Sequence, residues 1–310
     1  MNAIEILGLT KSYLTGFLRN KPKPALQPLH LTIQEGETFG FLGPNGAGKT
    51  TTLKLLMGIV FPTSGSARIL GHHFHDPGIK KQIGFLPEQP YFYDYLSASE
   101  LLDYYAQLSG VPKDERRKRI ALLLERTGLA DAGKKQLRKF SKGMLQRVGI
   151  AQAIIHDPKI VFLDEPMSGL DPIGRREIRE LILSLKKDGK TVFFSTHILS
   201  DAEALCDRVA VIHKGVLRGI GVVEDLKSQT EDKSEVVWQG AHALAAVASL
   251  LSESNVAGEV ARGVVRGQDL DLLLEKLRRE QTRLISVTPL HGTLEDYFVA
   301  HTTDQEAVQG

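Results

Sequence analysis

The spacing of apolar side chains changes character several times along the chain. Ile4, Ile6 and Leu9, then Leu29, Leu31 and Ile33, alternate with polar neighbours, so the first forty or so residues predict short strands. Between them, the segment from Leu14 to Ala25 carries Arg19, Lys21 and Lys23 with Pro22 and Pro24, which predicts an exposed basic hairpin tip. Phe39-Gly40-Phe41-Leu42 is an apolar run entering a glycine-rich turn. From Ser97 to about Ile155 the period becomes helical, with Leu101, Leu102 and Tyr105, then Ile120, Leu123 and Leu124, then Val148, Ala151 and Ile155 recurring every three or four residues. Ile160 to Leu163 and Thr191 to Ser195 are strand-like again and bracket a charged helix over 174–187. Strand–helix–strand alternation predicts a parallel sheet wrapped by helices.

A polar stretch, Asp225 to Lys233, marks a linker at 225–233 between a larger domain at 1–224 and a smaller one at 234–301. In the larger domain the helical part covers about 95–157. In the smaller, Val236 to Trp238, Arg262 to Arg266 and Arg283 to Val287 predict strands, and Leu270 to Arg279 and Leu294 to Val299 predict helices, an α+β pattern. The polar tail at 302–310 is expected to fray.

Length fits two domains better than one, since single cores seldom exceed about 250 residues. A net charge of +2 argues neither for nor against nucleic acid, and the lone Cys206 excludes an intramolecular disulfide. No apolar run reaches the roughly 18 residues of a membrane helix, and the first residues lack the basic-then-apolar layout of a secretory leader. A membrane role would therefore require docking on another chain.

Candidate chemistry begins at Gly43-Pro44-Asn45-Gly46-Ala47-Gly48-Lys49-Thr50-Thr51, which fits the pattern of a phosphate loop between a strand and a helix. Glycines let the backbone N–H groups close around phosphate, Lys49 adds positive charge, and the Thr50 hydroxyl suits Mg²⁺. Asp164 and Glu165 end an apolar strand, at the edge where open α/β sheets bind ligands. Strand alternation would separate their duties, Asp164 holding metal and Glu165 polarising a water. His197 ends the next strand-like run and can report the γ-phosphate. His72, His73 and His75 fall in a turn without a carboxylate or cysteine at ligand spacing, and are expected to be solvated.

Together these residues resemble the ATP-binding subunit of an ABC (ATP-binding cassette) transporter, in order over residues 1 to about 224. The loop at 43–51 matches Walker A, residues 160–165 Walker B, Ser168-Gly169-Leu170-Asp171-Pro172 the dimer-contact loop, and His197 the switch histidine. Phe140-Ser141-Lys142-Gly143-Met144, followed by Gln146 and Arg147, falls at the signature, with Lys142 and Met144 departing from the usual residues. Tyr13 stands where an aromatic stacks on adenine, and Glu88 where a glutamine usually reaches the metal, with Gln89 as an alternative.

The resemblance implies an α/β P-loop ATPase core with an antiparallel β subdomain and a helical subdomain, followed by the α+β extension. It implies ATP and Mg²⁺ as cofactors, with Lys49, Glu165 and His197 catalytic. Residues 43–51, Tyr13, Ser141 and Gly143 would bind nucleotide, and Thr50, Asp164 and Glu88 the metal. It further implies a second copy or a homologous ATPase subunit as partner, an integral membrane permease for export, and a place on the cytoplasmic face of the membrane, with no nucleic acid. The other use of such a cassette is a soluble ATPase acting on nucleic acid or ribosomes. Tyr91, Tyr93, Tyr95, Tyr104 and Tyr105, with Phe92, predict a docking surface or packing within the helical part.

Overall fold

The computed structural model describes residues 1–15, 21–228, 233–290, 293–295 and 297–298. Two compact units divide the chain, Met1–Gly221 and Val222–Gly310.

The first unit opens with two long strands, β1 (Asn2–Thr15) and β2 (Lys21–Gln34), paired antiparallel as Ile4↔Ile33, Ile6↔Leu31 and Leu9↔Leu29. They are longer than the short strands expected, because pairing continues beyond the apolar alternation to Thr15↔Lys21. The basic segment is thus largely strand; Arg19 and its neighbours at 16–20 lie outside the described residues. After β3 (Thr38–Leu42) and α1 (Lys49–Leu56), β4 (Ser64–Ile69) and the two-residue β5 (His72–His73) complete a sheet of order β2-β1-β4-β5.

The second sheet positions the chemistry. β6 (Ile83–Leu86), β7 (Ile160–Asp164), β8 (Thr191–Thr196), β9 (Arg208–His213) and β10 (Val216–Val222) join β3 in the order β10-β9-β3-β8-β7-β6. The β6–β7, β7–β8, β8–β3 and β3–β9 pairs are parallel. Every residue of β3, β7 and β8 is buried, as expected of parallel strands covered on both faces, which read as apolar runs rather than alternations.

Helices α2 (Ala98–Leu108), α3 (Lys113–Arg126), α4 (Lys142–Ile154), α5 (Pro172–Lys187) and α6 (Leu199–Leu205) complete this unit. The stretch expected to be helical is broken by a turn at 109–112 and, at 127–141, by turns around two short 3-10 helices, Ala130–Ala132 and Leu137–Lys139. Ser97 caps α2 in a reciprocal pair: Ser97 N–H donates to Glu100 Oε2 at 2.7 Å, and Glu100 N–H to Ser97 Oγ at 3.3 Å. Leu101, Leu124, Val148 and Ala151 share one core with Val161, Leu163 and Phe194 of the sheet and Ile178 of α5.

The second unit holds α7 (Val223–Ser228), β11 (Lys233–Gln239), α8 (Leu244–Val247), β12 (Leu251–Ala257), β13 (Val260–Arg266), α9 (Leu270–Arg279) and β14 (Arg283–Leu290). Its strands form an antiparallel sheet of order β12-β13-β11-β14. Leu273 and Leu277, one turn apart on α9, pack with Val236, Trp238, Ala261 and Val265. The segment expected to be a linker from 225 begins inside α7, where Val223 and Leu226 lie on one buried stripe. β12 escapes the apolar pattern because it is an exposed edge strand rich in polar residues. Of the helix expected near the C-terminus, Leu294, Glu295, Tyr297 and Phe298 are helical, while Val299 and the tail at 302–310 lie outside the described residues.

Candidate functional site

Parallel pairing brings three strand ends to one edge. Leu42 pairs with Thr196, and Asp164 with Ser195, so the loop after β3 emerges beside the carboxylates of β7 and the histidine after β8. Gly43 N–H donates to Thr196 O at 3.3 Å, anchoring the start of the loop. A Cβ at Gly43 would collide with the Ile212 carbonyl. Gly48 has φ 110°, a conformation open mainly to glycine, and begins α1.

Lys49 is buried and folds back over its own loop. Its Nζ donates to Gly43 O at 2.7 Å and to Pro44 O at 3.2 Å, and lies 3.0 Å from Glu165 Oε1. Thr50 Oγ1 donates to Asp164 Oδ1 at 3.2 Å, and Ser195 Oγ donates to the same oxygen at 2.6 Å. Burial raises the Asp164 pKa from its ordinary value; these two hydrogen bonds oppose the rise, Glu165 adds to it and Lys49 opposes it.

Glu165 does not continue the strand. β7 ends at Asp164, and Glu165 has φ 49°, with its N–H shared between Ser195 O at 3.2 Å and Ser195 Oγ at 3.0 Å. The division between the two carboxylates therefore comes from this backbone turn rather than from strand alternation. Asp164 faces Thr50 and Ser195, whereas Glu165 faces Lys49 and, through Oε2, receives His197 Nδ1–H at 2.8 Å. Ser195 joins the two halves of the network and was not among the sequence candidates. Its position opposite Asp164 on the neighbouring strand was the available signal.

Other candidates stand apart from this network. Ser141 is exposed, caps α4, and accepts from Met144 N–H at 3.3 Å; a Cβ on Gly143 would touch Leu170 at 3.9 Å. Glu88 and Gln89 are both exposed just beyond β6, and the bonds of Thr50 and Asp164 reach neither. Tyr13 is 37 % exposed, with Lys11 Nζ 5.0 Å from its ring centroid, so packing inside the sheet is not its role. Pro44, Asn45, Gly46, Ala47 and Thr51 fill the loop and the first turn of α1 as the pattern requires. A hydroxyl and a carboxylate 3.2 Å apart are hard oxygen donors of the kind Mg²⁺ takes, directly or through water. Among the described residues, no group of three or more His, Cys, Asp or Glu is arranged to hold a metal, and His72, His73 and His75 are no exception.

A loop wrapped at the head of a helix, with paired carboxylates and a histidine on adjacent parallel strands, defines a P-loop ATPase. Residues 26–168 match the family described as ABC transporter. An ABC transporter ATP-binding protein of Synechocystis is 47 % identical over 300 residues, spanning 96 % of this chain and 84 % of its own length. The bacitracin transport ATP-binding protein of Bacillus licheniformis is 43 % identical over 217 residues, 69 % of this chain and 68 % of its own. A solved dimeric ATP-binding cassette, in a post-hydrolysis state bound to ADP and Pi, superposes with TM-score 0.64 at 28 % identity, covering 71 % of this chain and 98 % of that one. This chain belongs to the ATP-binding subunits of ABC transporters; it binds ATP and hydrolyses it.

Proposed function

We propose that two copies of this chain, or one copy and a homologous subunit, close around ATP and drive a separate membrane permease, in the direction of export. One observation carries the two-chain part. Lys49, Thr50, Asp164, Glu165, Ser195 and His197 form one bonded network, and no bond of that network reaches Ser141 or Gly143. An exposed helix N-terminus, whose capping hydroxyl accepts from Met144 N–H and keeps its own proton to donate, is suited to phosphate brought by another chain. Within each site, Lys49 and the loop N–H groups hold the phosphates, Tyr13 stacks on the base, and Glu165 orients the attacking water. His197 holds the Glu165 carboxylate and reports the γ-phosphate. Thr50 and Asp164 hold Mg²⁺, with Glu88 the third candidate ligand; the ion would offset phosphate charge.

The permease part rests on the aromatic patch. Tyr91, Tyr93, Tyr95 and Tyr104 are exposed, and the Tyr93 ring lies 5.9 Å from Tyr95 and 6.2 Å from Tyr104. Tyr105 and Phe92 instead pack against the core. Such an apolar, rigid surface suits docking on another protein. Among the described residues no helix is long and apolar enough to cross a membrane; as an ATP-driven subunit docked on a permease, this chain would act from the cytoplasmic face. The export direction is supported by the Ser141-Lys142-Gly143-Met144 variant, the second unit, and similarity to a protein named for bacitracin transport.

Glu165→Gln should trap an ATP-bound dimer in gel filtration, and a persistent monomer would overturn the shared-site proposal. Co-purification with a multi-span permease encoded nearby tests the transport proposal, and failure of Tyr93→Ala/Tyr95→Ala to weaken that complex would remove the docking surface.

A further inference from the structure

Arg147 lies on the helix that Ser141 caps and outside the bonded network of the nucleotide site. Its Nη1 donates to Thr127 O at 3.1 Å and Gly128 O at 3.4 Å, both at the end of α3, and meets Glu177 Oε1 of α5 at 3.4 Å. Gly128 has φ 63°, and a Cβ there would stand 2.9 Å from that same nitrogen, so the turn after α3 is shaped around the guanidinium. Arg147 Nε is buried without an acceptor, so the described contacts run through a single nitrogen.

The contact fixes a register. Arg147 follows its cap Ser141 by the same number of residues as Glu177 follows Asp171, the cap of α5, whose carboxylate accepts from Gly174 N–H at 2.7 Å. Pairing Arg147 with Glu177 therefore sets the two helix starts level. The contacts at those starts agree: Gly143 faces Leu170, and Lys142 Nζ fills the space that a Cβ on Gly169 would need. The segment 168–171 follows directly from Glu165, and Ser168 N–H donates to Glu165 O at 3.1 Å. The position of Ser141 is thus referred, through two helices, to the loop that carries Glu165.

We propose that Arg147 is a positioning residue, pinning α4 against α5 so that Ser141 is presented at the depth where a second chain's nucleotide can reach it. The proposal rests on the shared-site mechanism above. Sliding α4 by a single residue would move Ser141 by about 1.5 Å, enough to lose a phosphate hydrogen bond. Because one nitrogen makes all the described contacts, a lysine ammonium can substitute for it, whereas an uncharged chain of similar length cannot.

The test uses the full chain carrying Glu165→Gln, with the ATP-driven dimerisation constant measured by sedimentation. Nucleotide affinity is measured separately on dilute monomer with a fluorescent ATP analogue. Adding Arg147→Met should weaken dimerisation about tenfold, while Arg147→Lys stays within about threefold of the parent. Monomer nucleotide affinity should not change in either. Adding Arg147→Met to Ser141→Ala should weaken dimerisation no further, since both act through the same hydroxyl. Dimerisation unaffected by Arg147→Met, or nucleotide affinity falling in step with melting temperature, would overturn the positioning role. A parent that stays monomeric with Arg147 intact would instead overturn the shared-site mechanism, and this role with it.

Discussion

Lys49 Nζ stands 3.0 Å from Glu165 Oε1, yet that oxygen accepts no aligned hydrogen bond. The lysine directs its bonds to the carbonyls of Gly43 and Pro44 instead. The pair is buried, so each charge depends on the other for compensation, but the contact is loose enough for phosphate to displace the carboxylate. Lys49→Ala should thus do two things. It should abolish measurable ATP binding, and it should destabilise the nucleotide-free chain, removal of one partner from a buried pair costing about 3–5 kcal/mol. Lys49→Ala/Glu165→Gln should regain much of that stability without regaining ATP binding. Urea denaturation of the four chains measures the coupling, and equal losses in both backgrounds would show the pair contributes nothing.

His197 grips Glu165 by its other oxygen, at 2.8 Å. His197→Ala should leave nucleotide binding within about threefold and lower turnover by about 10²–10³, within the range for general acid–base catalysis, because the proposed base Glu165 would lose the bond that orients it. Steady-state ATP hydrolysis beside equilibrium nucleotide binding separates the two effects; a matched loss in both would assign the histidine to binding.

Ser195 holds Asp164 and the Glu165 N–H together. Ser195→Ala removes a donor from one buried group and an acceptor from another. A stability loss of about 1–3 kcal/mol is expected, together with reduced turnover. Thermal unfolding and ATP hydrolysis test this, and wild-type values for both would deny the serine a part in the site.

Asp164 carries the clearest pH dependence of the site, because burial raises its pKa in the folded chain. A carboxyl whose folded pKa is raised favours folding while it is protonated, below the unfolded value of about 3.9, and that contribution is lost as pH rises through the folded pKa. At neutral pH, the nucleotide-free Asp164→Asn chain should therefore melt above wild type, and the advantage should vanish towards pH 4. Mg²⁺-ATP should reverse the order, because an ionised Asp164 is the form that the proposed Mg²⁺ site requires. Melting curves across pH, with and without Mg²⁺-ATP, measure both signs.

Local pattern made much of this architecture legible. The phosphate loop announces itself because close backbone approach needs glycines at set spacing, and β7 and β8 because doubly buried strands need unbroken apolar runs. The period of Leu273 and Leu277 likewise revealed α9. Where local pattern and pairing disagreed, pairing won: β12 is polar and strand-like only because β13 offers it an edge, and β1 and β2 lengthen because each extends the other.

What the sequence determined by itself is the presence and order of the phosphate loop, the carboxylate pair and the histidine, since each is demanded by local chemistry; Ser195 escaped it. Tertiary structure alone decided who touches whom. Parallel register set Ser195 opposite Asp164, a left-handed turn aimed Glu165 at Lys49 and His197, and two level helix starts brought Lys142 and Gly143 beside Gly169 and Leu170. These are contacts between residues distant in the chain, and register across a sheet or between helices is a property of packed partners that no single segment encodes.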